Sequence, residues 1–222
     1  MGVLKLNNVT KIYGEKDTTV YGLNNINLDI FEGDMVSIMG PSGCGKSTLL
    51  NILGCIDSPT HGEYLIYDKK ISFKNFNNLA KIRNEKIACI FQNFALIKEL
   101  SVIDNITIPL NFRKISANIR KEIALKYLKK LDMEQFYNIK VKNLSGGQQQ
   151  RVAIARALAQ ETNILLADEP TGSLDSNNAK NIMGILRKLN SEGKTIIIAT
   201  HDNLVSSFCN KKLVMRDGRF IF

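Results

Sequence analysis

The residues best suited to chemistry are Gly40-Pro41-Ser42-Gly43-Cys44-Gly45-Lys46-Ser47-Thr48, which follow the apolar run Met35 to Met39 and open an apolar-periodic one, Leu49, Leu50, Ile52 and Leu53. That order reads as a strand, a glycine turn and a helix start. The spacing G-x-x-x-x-G-K-S suits a phosphate cradle. Glycines let the backbone curl so that several N–H groups converge, and the new helix turns its positive end toward the anion. Lys46 is expected to reach the β- and γ-phosphates of a nucleotide, and the Ser47 hydroxyl to ligate Mg²⁺, a hard cation that prefers oxygen. Two readings of Cys44 stand: a thiol activated by the helix end and Lys46, or a small residue that fits the loop.

A second element is Ile164-Leu165-Leu166-Ala167-Asp168-Glu169, an apolar strand that delivers two adjacent carboxylates to its C-terminal end, where open α/β sheets bind ligands. Asp168 is expected to hold Mg²⁺ from the side opposite Ser47. Glu169 is expected to polarise a water for in-line attack on the γ-phosphate. A third element, Leu144-Ser145-Gly146-Gly147-Gln148, precedes a helix through Val152, Ile154 and Leu158. Its serine and glycines also suit an anion. One triphosphate, however, is already held by the first loop, so the spacing alone leaves a surplus phosphate site.

The elements that must position these groups alternate. Val3 to Tyr13 reads as a strand, followed by a polar loop at Gly14 to Thr19, and Ile26 to Phe31 as a second strand. After the helix from Lys46 to about Cys55 come a short strand, Tyr64 to Tyr67, a polar-faced helix, Asn75 to Glu85, and a buried strand, Ile87 to Phe91. From Asn93 to about Gln160 the strand pattern stops. Ser101 caps one expected helix (Val102, Ile106, Leu110) and Ser116 another, with the stripe Ile119, Ile123, Tyr127, Leu131. The α/β pattern resumes with a helix bearing Ile182, Ile185, Leu186 and Leu189, the strand Thr195 to Thr200, and a closing hairpin turned by Asp217-Gly218. The expected division is therefore an α/β core of residues 1–92 and 161–222 with an inserted helical subdomain, 93–160.

Composition narrows the classes. The 222 residues are 44% hydrophobic, enough for a substantial core, and no apolar run approaches the roughly 20 residues that cross a bilayer. The start alternates instead of building a signal-peptide block, which points to the cytoplasm. Four scattered cysteines and two histidines offer no zinc or disulfide spacing. The net charge of +9 is spread along the chain and mixed with acids, so no nucleic-acid partner is expected; some attraction to anionic lipid headgroups is.

Leu144 to Gln148 reads as the LSGGQ signature of the ATP-binding-cassette (ABC) ATPases, and the resemblance to that family covers essentially the whole chain. It implies a P-loop NTPase core, RecA-like, with a mixed sheet and an antiparallel β subdomain. It also implies ATP and Mg²⁺ as cofactors and a homodimer that forms head to tail on ATP binding. The signature Leu144, Ser145, Gly146, Gly147 and Gln148 of one subunit would then seal the nucleotide on the loop of the other, which disposes of the surplus site. By the same match Tyr13 stacks on adenine, Gln92 is the Q-loop residue counted among both the catalytic and the metal-binding side chains, Ser173-Leu174-Asp175 is the D-loop, and His201 is the switch histidine.

More narrowly, the stretches Gly54 to Glu63, Phe91 to Ile97 and Ser145 to Arg156 resemble the LolD/MacB-type branch, which serves lipoprotein release and macrolide or antimicrobial-peptide export and includes a cell-division ATPase. The resemblance implies a peripheral protein at the cytoplasmic face of the membrane, driving an integral permease in a separate chain. Export and the cell-division role share every motif and stay open here. The apolar residues after Gln92, namely Phe94, Leu96, Ile97 and Leu100, are expected to receive the partner's cytoplasmic helix.

Overall fold

The computed structural model describes residues 1–14, 18–172 and 174–221. Two sheets organise it. In the first, β1 (Gly2–Tyr13) and β2 (Val20–Phe31) run antiparallel, and β4 (His61–Ile66) and β5 (Lys69–Lys70) complete the order β2-β1-β4-β5. In the second, β3 (Met35–Met39), β6 (Ile87–Ile90), β7 (Ile164–Asp168), β8 (Thr195–Thr200), β9 (Lys211–Arg216) and β10 (Arg219–Ile221) take the order β10-β9-β3-β8-β7-β6. Every pair in this sheet is parallel except β10 with β9. The mixed sheet and the separate antiparallel one are those expected. The hairpin turns as expected too, with φ of 48° at Asp217 and 72° at Gly218.

The second sheet divides two cores by side-chain alternation. On β8, Ile196 and Ile198 join one cluster while Ile197 and Ala199 join the other; on β7, Leu165 and Ala167 face the first, Ile164 and Leu166 the second. One face packs on helices and the other on α1 (Lys46–Leu53) and the antiparallel sheet, so both faces must be apolar and the strands read as continuous runs. β3 and β8 are buried at every position.

The remaining helices are α2 (Phe76–Glu85), α3 (Val102–Thr107), α4 (Ala117–Lys130), α5 (Gly146–Ala159), α6 (Ser176–Ser191) and α7 (Asn203–Ser207). Each starts from a side-chain cap, in order Asn75, Ser101, Ser116, Ser145, Asp175 and Asp202. α3, α4 and α5 pack on one another.

Several expectations need correction. β2 begins at Val20 instead of Ile26, because it pairs along the whole of β1; a left-handed Asn25 (φ 55°) breaks the alternation that would have shown it. On α4 the expected Ile123, Tyr127 and Leu131 do reach the core, but Ile119 is left 45% exposed and Ala124 and Leu128 are the residues turned fully inward. Leu110 is buried, but in a 3-10 turn, Ile108–Phe112, that follows α3 directly and carries Pro109 as its second residue. The strand expected at Tyr64 to Tyr67 starts at His61 and ends at Ile66, where left-handed Tyr67 and Asp68 turn it into β5.

Candidate functional site

Because β3, β6, β7 and β8 are parallel neighbours, their C-terminal ends open on one edge of the sheet. The loop of residues 40–45 leaves β3 there. Gly43 and Gly45 have φ of 80° and 108°, and a Cβ on Gly45 would lie 2.3 Å from the Gly22 carbonyl oxygen. Only glycine lets the loop turn against β2 in this way. A Cβ on Gly40 would meet the Met215 carbonyl at 2.2 Å and Cys44 Sγ at 2.6 Å.

α1 begins at Gly45 with no side-chain cap and no acid in its first turn, so its leading N–H groups and dipole are left for an anion. Lys46 Nζ lies within the bowl, donating to the Gly40 and Pro41 carbonyls at 2.7 and 2.9 Å. Pro41, Ser42, Gly43 and Ser47 are exposed around it, and Thr48 is half-buried. Cys44 is only 4% exposed and belongs to the core under the antiparallel sheet. Its burial favours the second reading, a residue that fills space beneath Gly40, while Lys46 Nζ stands 4.0 Å from its Sγ.

Asp168 lies half-buried at the end of β7, with the Ser47 hydroxyl beside its carboxylate. Burial pushes its carboxyl above the ordinary value and Glu169 adds to that, while the Ser47 hydroxyl and the Lys46 charge pull it down. Glu169 follows at a left-handed φ of 44°, a costly conformation for a residue with a side chain. Its carboxylate accepts from Thr200 Oγ1 (3.1 Å), the His201 N–H (3.1 Å) and His201 Nδ1 (2.7 Å). His201 itself is exposed and lines, with Gly40 and Pro41, a cleft of about 340 Å³. Gln92 follows β6, exposed, with its amide beside Gly172 just beyond Glu169.

The structure thus brings Lys46, Ser47, Asp168, Glu169, His201 and Gln92 to one sheet edge. Tyr13, at the end of β1, lies over Gly22, where a Cβ would sit 2.7 Å from Tyr13 Cε2. The LSGGQ residues stand apart: among the described residues no hydrogen bond links them to the loop of residues 40–48. Ser145 and Gln148 form a capping box, with Gln148 N–H donating to Ser145 Oγ and Ser145 N–H to Gln148 Oε1. Leu144 is buried, Ser145 and Gly146 are exposed, and Gly147 lies near Asn178 of α6. Leu174 packs on the core and Asp175 caps α6 through the Asn177 and Asn178 N–H groups; Ser173 lies outside the described residues.

Thr200 and Gly22 had not been singled out. A glycine interrupting a strand pattern at Gly22 was the available signal of close backbone approach; Thr200 had none, since a threonine ending an apolar strand is unremarkable. Of the four apolar residues after Gln92, only Ile97 is well exposed, at 51%; Leu96 packs on the core and Phe94 and Leu100 are half-buried.

This is a nucleotide-binding fold of the phosphate-loop class, with a glycine loop between strand and helix and paired carboxylates two strands away. The model of the ABC transporter family matches residues 23–172, and the chain belongs to that family. It is 49% identical over 221 residues to the uncharacterized ABC transporter ATP-binding protein MJ0796 of Methanocaldococcus jannaschii, covering 97% of this chain and 94% of that one. It is also 42% identical over 219 residues to the macrolide export ATP-binding/permease protein MacB of Hyphomonas neptunium, covering 99% of this chain but only 34% of the relative. The chain therefore spans about a third of that protein. Among solved structures, the dimeric post-hydrolysis state of MJ0796 bound to ADP and Pi superposes with a TM-score of 0.92 at 47% identity, over 99% of this chain and 97% of the other.

Proposed function

We propose that the chain is the ATP-binding and ATP-hydrolysing subunit of an ABC transporter, closing as a homodimer on ATP and driving a permease carried on a separate chain. One observation carries the reading: the phosphate loop and the Asp168-Glu169 pair share an edge, while the exposed LSGGQ end of α5 stands off it. A second copy supplies that end. In this reading Lys46 and the α1 N-terminus hold the phosphates, Glu169 takes a proton from the attacking water, and His201 donates where charge builds on the γ-phosphate. In the same reading Gln92 and Leu174-Asp175 would meet the second copy at the seam.

Mg²⁺ suits the site by donor chemistry. The Ser47 hydroxyl and the Asp168 carboxylate are hard oxygen donors that already face each other, and Gln92 adds an amide oxygen from the neighbouring strand end. The ion would neutralise phosphate charge; the protein's part is to orient these oxygens. The division into a core of residues 1–92 and 161–222 and a helical subdomain of 93–160 belongs to the same proposal, supported by the mutual packing of α3 to α5.

No helix among the described residues is long and apolar enough to cross a membrane, so attachment to the membrane would come through the permease. The MacB relative, whose name joins the ATP-binding and permease functions in one chain, supports such a partner. A groove of about 630 Å³ between α2 and the Ile108–Phe112 turn, lined by Ala80, Ile108, Pro109 and an 82% exposed Phe112 and rimmed by Lys81, Arg83 and Glu85, offers such a partner a second surface besides the exposed Ile97. The test is ATP hydrolysis by the purified chain together with its size with and without ATP. Lys46→Ala should abolish both hydrolysis and ATP-dependent dimerisation. Phe112→Glu should spare them while cutting stimulation by a co-reconstituted permease. Hydrolysis that persists in Lys46→Ala would sink the reading.

A further inference from the structure

Tyr13 and the phosphate loop sit in different parts of the fold, one at the end of β1 in the antiparallel sheet and the other at the edge of the parallel sheet. A small polar cluster ties them together. Asp57 lies just beyond α1, where the chain wraps back on the helix through Ile56 and Asp57 N–H bonds to the Asn51 carbonyl, at 2.8 and 3.2 Å. Its Oδ2 accepts from Tyr13 Oη at 2.9 Å. Its Oδ1 accepts from Lys11 Nζ at 2.6 Å and from the Ser58 N–H at 2.7 Å.

Lys11 also donates to the Ser58 carbonyl at 2.8 Å, and its ammonium lies 5.0 Å from the centroid of the Tyr13 ring. Burial disfavours the charged carboxylate, yet the bonds from Lys11, Ser58 and Tyr13 and the Lys11 charge outweigh it and hold the Asp57 carboxyl below its ordinary value. The Tyr13 ring is thus held by its hydroxyl at one end and by Gly22 beneath its edge, with 41% of the residue still exposed.

We propose that Asp57 is a positioning residue for the base of the nucleotide: through Tyr13 Oη and Lys11 it fixes the Tyr13 ring relative to α1, so that base and phosphates are gripped at a set separation. The inference rests on the reading of Tyr13 as the base platform. Fixing the ring before binding removes its ordering cost, which would otherwise reduce affinity. Asp57 never meets the phosphates, so their grip is independent of it.

Asp57→Asn keeps the shape and removes the charge, and Tyr13→Phe keeps the ring and removes the hydroxyl. Each should raise the Kd and KM for ATP about 3- to 10-fold, the worth of one such hydrogen bond, with kcat of Asp57→Asn retained at saturating ATP. The amide oxygen in Asp57→Asn can still accept from Tyr13 Oη, so Asp57→Leu, which cannot, completes the cycle: combined with Tyr13→Phe it should be no weaker than the worse single variant, since both remove the same contact. Inorganic tripolyphosphate, which has no base, should bind wild type and Asp57→Asn alike. An unchanged ATP Kd in Asp57→Asn, additive effects, or an equal loss of tripolyphosphate binding would each overturn the proposal. Tyr13→Ala separates the two failures. If it too leaves ATP affinity unchanged, the platform reading itself is wrong; if it alone weakens ATP, only the role of Asp57 falls.

Discussion

His201 Nδ1 stands 2.7 Å from Glu169 Oε1, so the residue proposed to take a proton from water and the one proposed to donate to the γ-phosphate are hydrogen-bonded to each other. An ionised carboxylate can only accept, so Nδ1 is the donor here, and for the ring to donate to a γ-phosphate as well Nε2 must also carry a proton, as in the imidazolium. Thr200 secures the same carboxylate from β8 and in turn accepts from the Asp202 N–H at 3.0 Å. Thr200→Val, nearly isosteric and fully buried, should therefore slow hydrolysis by about tenfold while leaving the ATP Kd unchanged, and should cost about 1–2 kcal/mol in urea unfolding. A variant with wild-type kcat would show that Glu169 is oriented without Thr200.

Asp168 and Asp175 should give stability opposite dependences on pH. Burial raises the Asp168 carboxyl above its ordinary 3.8, so the folded chain binds that proton more tightly than the unfolded one. The resulting destabilisation is fully present above the folded pKa and is relieved as the pH falls toward 3.8. Asp168→Asn should raise the Tm of the nucleotide-free protein at pH 7, with the gain shrinking toward pH 4, and should abolish the Tm increase caused by ATP with Mg²⁺. The Asn178 N–H and side chain hold Asp175 below 3.8, so its helix-capping contribution is present above 3.8 and fades as the pH falls through its folded value. Asp175→Ala should lower the Tm at pH 7 more than at pH 3. Thermal scans from pH 3 to 8 check both signs.

The four free cysteines should be inert in the folded protein. Cys44 is packed beneath Gly40, and burial pushes the Cys55 and Cys89 thiols up to about 12 and Cys209 to about 11, leaving almost no thiolate at pH 7. A thiol-reactive chromophore should register no fast phase in buffer and four thiols in denaturant. A fast native phase that ATP suppresses would return Cys44 to the role of an activated thiol.

Arg156, near the end of the helix that Ser145 begins, donates to the Ala95 and Phe94 carbonyls at 2.5 and 2.8 Å. Both carbonyls belong to residues with left-handed φ, 47° at Ala95 and 61° at Phe94, in the loop that follows Gln92. A planar guanidinium can hold two such carbonyls at once; an ammonium cannot hold them in the same geometry. Arg156→Lys should cost about 2 kcal/mol in denaturant unfolding and loosen the loop, read as faster amide exchange at residues 94–96. Unchanged exchange there would show that the loop keeps its shape without the clamp.

The parts legible in the sequence were those specified by local chemistry. Glycine spacing announced the loop of residues 40–48, apolar runs the buried strands, and Ser101, Ser116 and Ser145 their helices, because a cap acts within three residues of itself. Contacts across long separations in sequence were not legible. Nothing near Arg156 points to residue 95, nothing near Asp57 points to Tyr13, and Cys44 is buried in a core to which Leu23 and Met215 come from distant strands. The α4 stripe was legible in Ile123, Tyr127 and Leu131, which reach the core, but not in Ile119 or in the more deeply buried Ala124 and Leu128. Its periodicity defines a face, but which edge of that face turns inward is set by the neighbours α3 and α5.

The proposed base and the proposed dimer can be tested on one pair of variants. Glu169→Gln keeps size and hydrogen bonding to Thr200 and His201 but removes the charge that would take a proton from water. Hydrolysis should fall about 10²- to 10⁴-fold while ATP still binds. With less negative charge beside the triphosphate, the ATP-bound dimer should accumulate and elute at twice the monomer mass in size-exclusion chromatography. Ser145→Arg is the complement, because Ser145 is exposed and lies off its own subunit's phosphate loop. It breaks the capping box, costing about 1 kcal/mol, yet should leave monomer affinity for ATP unchanged. Added to Glu169→Gln it should return the protein to monomer in the presence of ATP, the bulk and charge standing where the second copy's γ-phosphate must come. Glu169→Gln hydrolysing at the wild-type rate would remove Glu169 as base. A double variant that still dimerises with ATP would mean that the LSGGQ end of α5 does not form the seam.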